Sequence, residues 1–96
     1  MPYIEKDNRN LLDKEIDILI AALNRASQGK FTARPGNLNY TLTRIILGVV
    51  KSHGENIKYK DLNEIMGVIE CMKAEFYRRK VAPYEDKCIS RNGDVY

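Results

Sequence analysis

The stretch DLNEIMGVIECMKAEFYRRK, residues 61–80, is the longest uninterrupted helical pattern in the chain. Its apolar side chains recur at steps of three and four residues, which places them on one face of a helix; they are Leu62, Ile65, Met66, Ile69, Met72, Phe76 and Tyr77. Asp61, with Glu64 three residues later, has the form of a capping box. Because Pro83 lacks an N–H and disfavours helix at the residue before it, we predict that this third helix stops near Lys80.

A first helix is predicted over about residues 8–27, with Gly29 as its C-terminal stop. Its apolar positions are Leu12, Ile16, Leu19, Ile20 and Leu23. The segment GKFTARPGN that follows, residues 29–37, contains two glycines and a proline. This composition predicts a connecting loop, in which Phe31 packs against the core.

A second helix is predicted over about residues 38–53, capped by Asn37 and ended by Gly54. Its inner face consists of Leu38, Leu42, Ile45 and Val49. Two glycines, Gly48 and Gly67, fall inside predicted helices, where each costs about 1 kcal/mol relative to alanine. Close packing of neighbouring helices is the reason we expect for them.

The segment PYEDKCISRNGDVY, which starts at Pro83, predicts a short helical turn up to about Ile89 and then an irregular tail. Ninety-six residues form one domain, residues 1–96. The predicted fold is all-α: a three-helix bundle with a short C-terminal helical turn and an irregular tail packed over it. A chain of this length buries only about 60–65% of its unfolded surface. We therefore expect a homo-oligomer, a dimer, to support a modest core.

The composition is that of an ordinary soluble globule, with 44% hydrophobic and 30% charged residues. No apolar run approaches the roughly 18 residues of a membrane span, and the N-terminus has no signal-peptide pattern. Cys71 and Cys88 are predicted to be free thiols in a reducing cytoplasm. The net charge of +3 is too small to indicate nucleic acid by itself, although residues 30–60 hold six basic side chains against one acidic.

The side of the second helix opposite its inner face presents Tyr40, Arg44, Leu47 and Lys51. We call these four residues the outer face. Single exposed apolar residues with basic neighbours are common on solvated surfaces. Tyr and Arg are also the favoured anchors of protein–protein contacts, so the outer face is either a solvated surface or an interface.

Lys73 falls in the middle of the third helix's apolar side, with Glu70 and Tyr77 along its edge. A buried unpaired charge is costly, so Lys73 must reach solvent or pair with Glu70. The trio is either a structural ion pair at a core boundary or part of a ligand-binding or catalytic pocket. We assign no catalytic residue, metal site or cofactor, because the only histidine, His53, has no further ligands at zinc spacing.

The third helix ends in the basic residues Arg78, Arg79 and Lys80. Cations at a helix C-terminus are expected from the macrodipole alone. Together with Arg44 and Lys51 they would also suit a surface that binds phosphate groups. No DNA-reading motif accompanies them, so nucleic acid is weakly supported as a partner.

Four stretches carry a family resemblance: MPYI at the start, PGNLNYTLTRII at 35–46, NEIMGVIECMKAEFYRRKVAPYED at 63–86, and NGDVY at the end. The chain resembles a small, uncharacterised family of bacterial and phage proteins, a domain of unknown function. The resemblance implies a stand-alone cytoplasmic module and brings no activity, cofactor or catalytic residue. The polar residues of these stretches form either a shared site or a network that anchors the tail; the set is Asn37, Asn39, Glu70, Lys73, Glu75, Tyr77, Arg78, Tyr84, Glu85 and Asp86.

The function predicted from the sequence is a small, non-enzymatic, self-associating protein–protein interaction module. Its working surface would be the outer face together with residues 84–86. The alternative is a phosphate or nucleic-acid binder that uses the basic residues named above. A third possibility is an uncharacterised enzyme with a site around Glu70, Lys73 and Tyr77.

Overall fold

A computed structural model describes residues 2–30 and 34–96 of the chain, so Phe31 and its predicted packing lie outside the described residues. Within the described residues every regular element is helical and no strand occurs, which confirms the prediction of an all-α fold. The chain divides into two helical units. The first unit is Tyr3–Lys58, and the second is Tyr59–Tyr96, with which Pro2 is grouped.

The first unit opens with a helix that is broken where the sequence predicted one continuous helix. Helix α1 is Lys6–Asn10 and α2 is Asp13–Ala26. Between them the Leu12 N–H donates to the Arg9 carbonyl at 2.9 Å, a tighter turn than the α-helical one. The asparagines of this segment are weak helix formers, because their side chains compete for nearby backbone groups. The expected stop is confirmed, since Gly29 adopts a left-handed φ of 69° just after α2.

Helix α3 is Arg34–Ser52, so part of the predicted loop is helical. Pro35 lies in its first turn, where the fixed φ of proline suits a helix and its missing N–H leaves no internal bond unmade. Asn37 is therefore inside the helix, and the prediction that it caps the helix is wrong. The helix ends as predicted just before Gly54, which has a φ of 69° and starts a 3₁₀ turn, Gly54–Asn56.

The second unit is helical almost throughout. It contains α4, Tyr59–Phe76, then a π-helical turn, Tyr77–Val81, and then α5, Ala82–Asn92. Because α4 starts at Tyr59, Asp61 lies in its first turn rather than at the cap, where its charge still complements the helix dipole. The predicted stop near Lys80 is wrong, and the predicted short C-terminal turn is an eleven-residue helix.

The π turn explains how the helical path continues past Pro83. Proline has no N–H to offer the carbonyl four residues earlier, and its ring crowds that carbonyl in an α-helix. In the residues just before Pro83 the helix is widened: the Ala82 N–H donates to the carbonyl of Tyr77, five residues back, where an α-helix would use the carbonyl four residues back. The wider turn relieves the crowding, and Pro83 then occupies the first turn of α5, where proline is tolerated.

The tail after α5 does not pack over the helices as the sequence predicted. Gly93, with a φ of 96°, ends α5. Val95 and Tyr96 are almost fully exposed. The only bond described for the last residue is a local one, from the Tyr96 N–H to Asp94 Oδ1 at 2.9 Å. A short segment that begins with a glycine buries too little apolar surface to fix itself on a helix.

Within residues 2–30 and 34–96, neither unit encloses a hydrophobic core of its own. Among the described residues Ser27 alone is buried, at 2% exposure, and every apolar side chain is at least partly exposed. A Cβ added at Gly48 or Gly67 would meet nothing within 4 Å, so the expected close helix packing at these glycines is wrong. The residues that the structure describes therefore do not form, within either unit, the modest core predicted from chain length.

Candidate interaction surfaces

The predicted inner face of the second helix is an exposed apolar stripe in the structure. We call Leu38, Leu42, Ile45 and Val49 the α3 stripe, and all four side chains are exposed. The sides of α3 that are half-buried lie elsewhere, at Asn37 and Thr41 and at Ile46 and Val50. The 3.6-residue pattern therefore identified the apolar face of α3 correctly, but it did not identify the sides of α3 that are half-buried in the structure.

Helix α4 presents a second stripe of the same kind. The α4 stripe consists of Leu62, Ile65, Met66, Ile69, Met72 and Phe76, and it runs the length of the helix. Ile65 and Ile69 are half-buried, and the other four are exposed. Across the eight exposed side chains of the α3 and α4 stripes, the exposed fraction runs from 36% to 62%. Amphipathic helices normally hold such faces against another element, so these two faces are unusual.

Lys73 interrupts the α4 stripe. Its Nζ lies 4.0 Å from Glu70 Oε2, and both side chains are mostly in solvent. An ion pair this exposed contributes little to stability. The Tyr77 hydroxyl does not join the pair, since it bonds to Glu85. The structure thus brings Glu70 and Lys73 together on an open surface and directs Tyr77 elsewhere.

All four residues of the outer face are exposed along one side of α3. Arg44 Nη1 donates to the Tyr40 hydroxyl at 2.9 Å, and Arg44 Cζ lies 5.8 Å from the centre of the Tyr40 ring. The guanidinium is thus close enough for a cation–π contact with the ring as well. Tyr40 and Arg44 thus contact each other, and Leu47 and Lys51 lie one and two turns further on.

Helix α2 meets α3 through a small polar contact that the sequence did not indicate. Asn37 Nδ2 donates to Ser27 Oγ at 3.2 Å, and Thr41 Oγ1 donates to the Asn37 carbonyl at 2.8 Å. Beside this contact, Leu19, Ala22, Leu23 and Tyr40 help to line a shallow open groove. Ser27 carries no periodic signal, because it follows the last residue of the α2 pattern.

The polar residues near the C-terminus form two local pairs. The Tyr77 hydroxyl donates to Glu85 Oε1 at 2.6 Å, and Arg78 Nη2 forms an ion pair with Glu75 Oε1. The Glu85 hydrogen bond, and then the charge of Glu85, raise the pKa of Tyr77 above its ordinary value of 10.0. These pairs connect α4, the π turn and α5 along the chain.

The pairing of Tyr77 with Glu85 depends on the π turn. In a continuous α-helix, residues eight apart lie about 80° from each other around the axis. The i→i+5 turn accommodates one extra residue, which rotates α5 back by about 100° and brings the two side chains onto one side. An eight-residue spacing is not a helical neighbour spacing, so sequence reasoning placed both residues in one polar set without predicting their contact.

The remaining candidates are dispersed. Asn39 Oδ1 accepts from Thr43 Oγ1 at 3.1 Å within α3, while Tyr84 and Asp86 are exposed on α5. Arg79 and Lys80 are exposed in the π turn. His53 Nδ1 lies 3.3 Å from the Val49 carbonyl oxygen. In the described parts of the chain no three His, Cys, Asp or Glu side chains are arranged to hold a metal ion.

No helix in the described ranges is both long and apolar enough to cross a membrane. The two cysteines, exposed Cys71 and half-buried Cys88, are free thiols. The features that stand out are therefore the two apolar stripes and the outer face of α3.

Comparison with known proteins gives a family without an assigned role. The chain belongs to the family described as Domain of unknown function (DUF6899), whose model matches residues 1–95. No curated protein and no solved structure matches it.

Proposed function

We propose that this DUF6899 chain is a small, non-enzymatic protein–protein interaction module that self-associates through the apolar stripes of α3 and α4. The observation that supports the proposal is the exposure of both stripes, whose eight exposed large side chains are 36–62% accessible. Exposed apolar surface of this extent on a small protein marks a contact surface.

The energy at stake is large for a chain of this size. Full burial of one large apolar side chain contributes about 1.5–3 kcal/mol. A half-exposed apolar side chain could therefore contribute roughly 1 kcal/mol more if it were covered, and the two stripes together could contribute several kcal/mol more. Folded domains are stable by only about 5–15 kcal/mol, so a partner that covers the stripes would change the stability of the whole chain.

A second copy is the partner that the proposal commits to. Most soluble oligomers are symmetric assemblies of one chain, in which the same patch is presented by both subunits. Each copy brings the same two stripes, so one association covers apolar surface on both. The net charge of +3 is small enough that repulsion between copies is modest.

The test is molar mass by light scattering over a range of protein concentrations. We expect wild type to be a dimer that dissociates on dilution, and Leu42→Gln/Val49→Gln to shift the equilibrium toward monomer. Tyr40→Ala/Leu47→Ala is the matched control on the opposite side of the same helix. A wild-type monomer at every concentration would refute self-association, and monomerisation by the control alone would assign the contact to the outer face.

A second candidate function, binding of phosphate groups or nucleic acid, is favoured by one observation. Helix α3 contains Arg34, Arg44 and Lys51 and no acidic residue. Anisotropy of a labelled oligonucleotide at roughly 50 mM and 200 mM salt separates the two functions, because phosphate contacts weaken steeply with salt. Association of apolar stripes does not show that loss, since burial of apolar surface is not driven by charge.

A further inference from the structure

We infer that the α4 stripe is a contact between two copies of the chain, with the two α4 helices antiparallel and their two-fold axis near Ile69. The inference rests on the proposed self-association and names the face and direction of pairing. It follows from three features of the second unit: the spacing of its stripe, the placement of its charges, and the area that it exposes.

The stripe has the same spacing in both directions from Ile69. Leu62 and Phe76 lie seven residues on either side of Ile69, and Met66 and Met72 lie three residues on either side. An antiparallel pair centred on Ile69 therefore sets Leu62 of one copy opposite Phe76 of the other, and Met66 opposite Met72. An isologous contact requires this kind of self-complementary patch.

Lys73, the one charge within the stripe, fits the same arrangement. The position that mirrors it about Ile69 is Ile65, so the two lysines of a pair are kept apart instead of meeting at the axis. Its side chain is mostly in solvent, and its ammonium lies 4.0 Å from Glu70 Oε2, so the charge is directed away from the apolar surface.

The charges along the second unit favour the antiparallel direction. Residues 59–67 contain two acidic and one basic side chain, a net −1, and residues 68–81 contain two acidic and four basic, a net +2. Antiparallel pairing sets the acidic half of each copy beside the basic half of the other, whereas parallel pairing sets like halves together. It also places the helix dipoles head to tail. Over residues 59–96 the charges balance, with seven acidic and seven basic side chains, so the units as wholes do not repel.

The exposed area is sufficient for a specific contact. Four side chains of the α4 stripe, with Tyr77 at the margin, are each about half exposed; the four are Leu62, Met66, Met72 and Phe76. A large side chain presents roughly 150–200 Å² when free, so the group exposes about 500 Å² of mostly apolar surface. With a polar rim this approaches the roughly 800 Å² per partner of a standard interface.

Single-cysteine crosslinking of the full chain tests the inference. In a Cys71→Ser/Cys88→Ser background, whose molar mass and helicity are measured first, three positions are changed one at a time: Leu62→Cys, Ile69→Cys and Phe76→Cys. Under mild oxidation we expect Ile69→Cys to form a disulfide-linked dimer by itself. We expect Leu62→Cys and Phe76→Cys to link efficiently only when the two proteins are mixed, with a yield at least about tenfold above either alone. Glu64→Cys, on the far side of α4, is the control and should not link.

Each result separates the inference from the function on which it rests. A background protein that is monomeric throughout overturns both. A dimer in which Leu62→Cys and Phe76→Cys each link to themselves is parallel, and it overturns the inference but leaves self-association intact. A dimer that links at none of the three positions uses another face and overturns the inference in the same way.

If the cysteine variants lose helicity, charge reversal on the folded background decides the direction. Lys60→Glu/Glu70→Lys makes the N-terminal half of α4 more acidic and its C-terminal half more basic, at an unchanged net charge and without altering a stripe residue. It should tighten an antiparallel dimer severalfold by strengthening the attraction to the acidic half. Weakened association would indicate parallel pairing and overturn the inference.

Discussion

Phe76 offers the sharpest test of the idea that the exposed stripes are contact surfaces. It is the largest apolar side chain of the α4 stripe and is 62% exposed. Full burial of such a side chain contributes about 1.5–3 kcal/mol, so covering its exposed part contributes about 1–2 kcal/mol per copy. A symmetric dimer uses the residue twice, so Phe76→Ala should weaken association by about 2–4 kcal/mol. That corresponds to a rise in Kd from about 30-fold to several hundred-fold.

The assay is sedimentation or light scattering across a dilution series, with helicity followed by circular dichroism. Val68→Ala is the matched control, because Val68 is also 62% exposed on α4 but lies about 90° from the stripe centre. We expect the control to change Kd by less than about threefold. If both variants shift Kd alike, or if Phe76→Ala instead unfolds the isolated chain, the stripe is not the contact surface.

Three further predictions concern stability. Folding raises the pKa of Tyr77 above 10.0, so the contribution of Tyr77 to the free energy of unfolding is complete below pH 10 and is lost as the pH rises through the raised pKa. Urea unfolding at about pH 9 and about pH 11 should show this loss in wild type and not in Tyr77→Phe. Ser27→Ala should cost about 1 kcal/mol in urea unfolding, because the Asn37 amide loses its acceptor. Gly48→Ala should stabilise by about 0.5–1 kcal/mol and raise the melting temperature, while Gly54→Ala, at a φ of 69°, should cost about 1 kcal/mol and lower it.

Each of these predictions has a result that contradicts it. An equal fall above pH 10 in Tyr77→Phe would show that other groups cause the alkaline loss. An unchanged urea midpoint for Ser27→Ala would mean that the α2–α3 contact depends on apolar packing alone. Destabilisation by Gly48→Ala would mean that a neighbour, such as a second copy, approaches α3 closely at that glycine.

The helices and their apolar faces were predictable because both depend on local rules. The 3.6-residue recurrence of apolar side chains located the α3 and α4 stripes. The helix ends at Gly29 and Gly54 were predicted correctly, because glycine readily adopts the positive φ found there. Helix starts were less accurate. Pro35 and Tyr59 lie inside helices whose starts were placed later, because a good capping residue in the sequence does not oblige the backbone to use it.

What the sequence did not predict was the partner of each face. Leu42 and Ile69 have the spacing of core residues, and period alone does not distinguish a face covered within the chain from one left open. The Tyr77–Glu85 bond was missed for another reason, since it depends on a π turn that no pattern in the sequence marks. Pro83 was the available signal. It was interpreted as a stop because proline usually ends a helix.

The π turn also affects any attempt to extend this protein. The side chains of α5 are rotated about the helix axis by about 100°, or one residue, from where an ideal continuation of α4 would place them. A rigid helical fusion attached after Asn92 would follow the phase of α5. A designer who treats residues 59–92 as one ideal helix would aim a fluorophore, an epitope or a second domain at the wrong side. Deleting one residue between 78 and 81 would restore the ideal phase. Tyr77 and Glu85 would stay on one side, because residues seven apart in an α-helix lie only about 20° from each other. The extra residue therefore changes which residue numbers share a side of the helix.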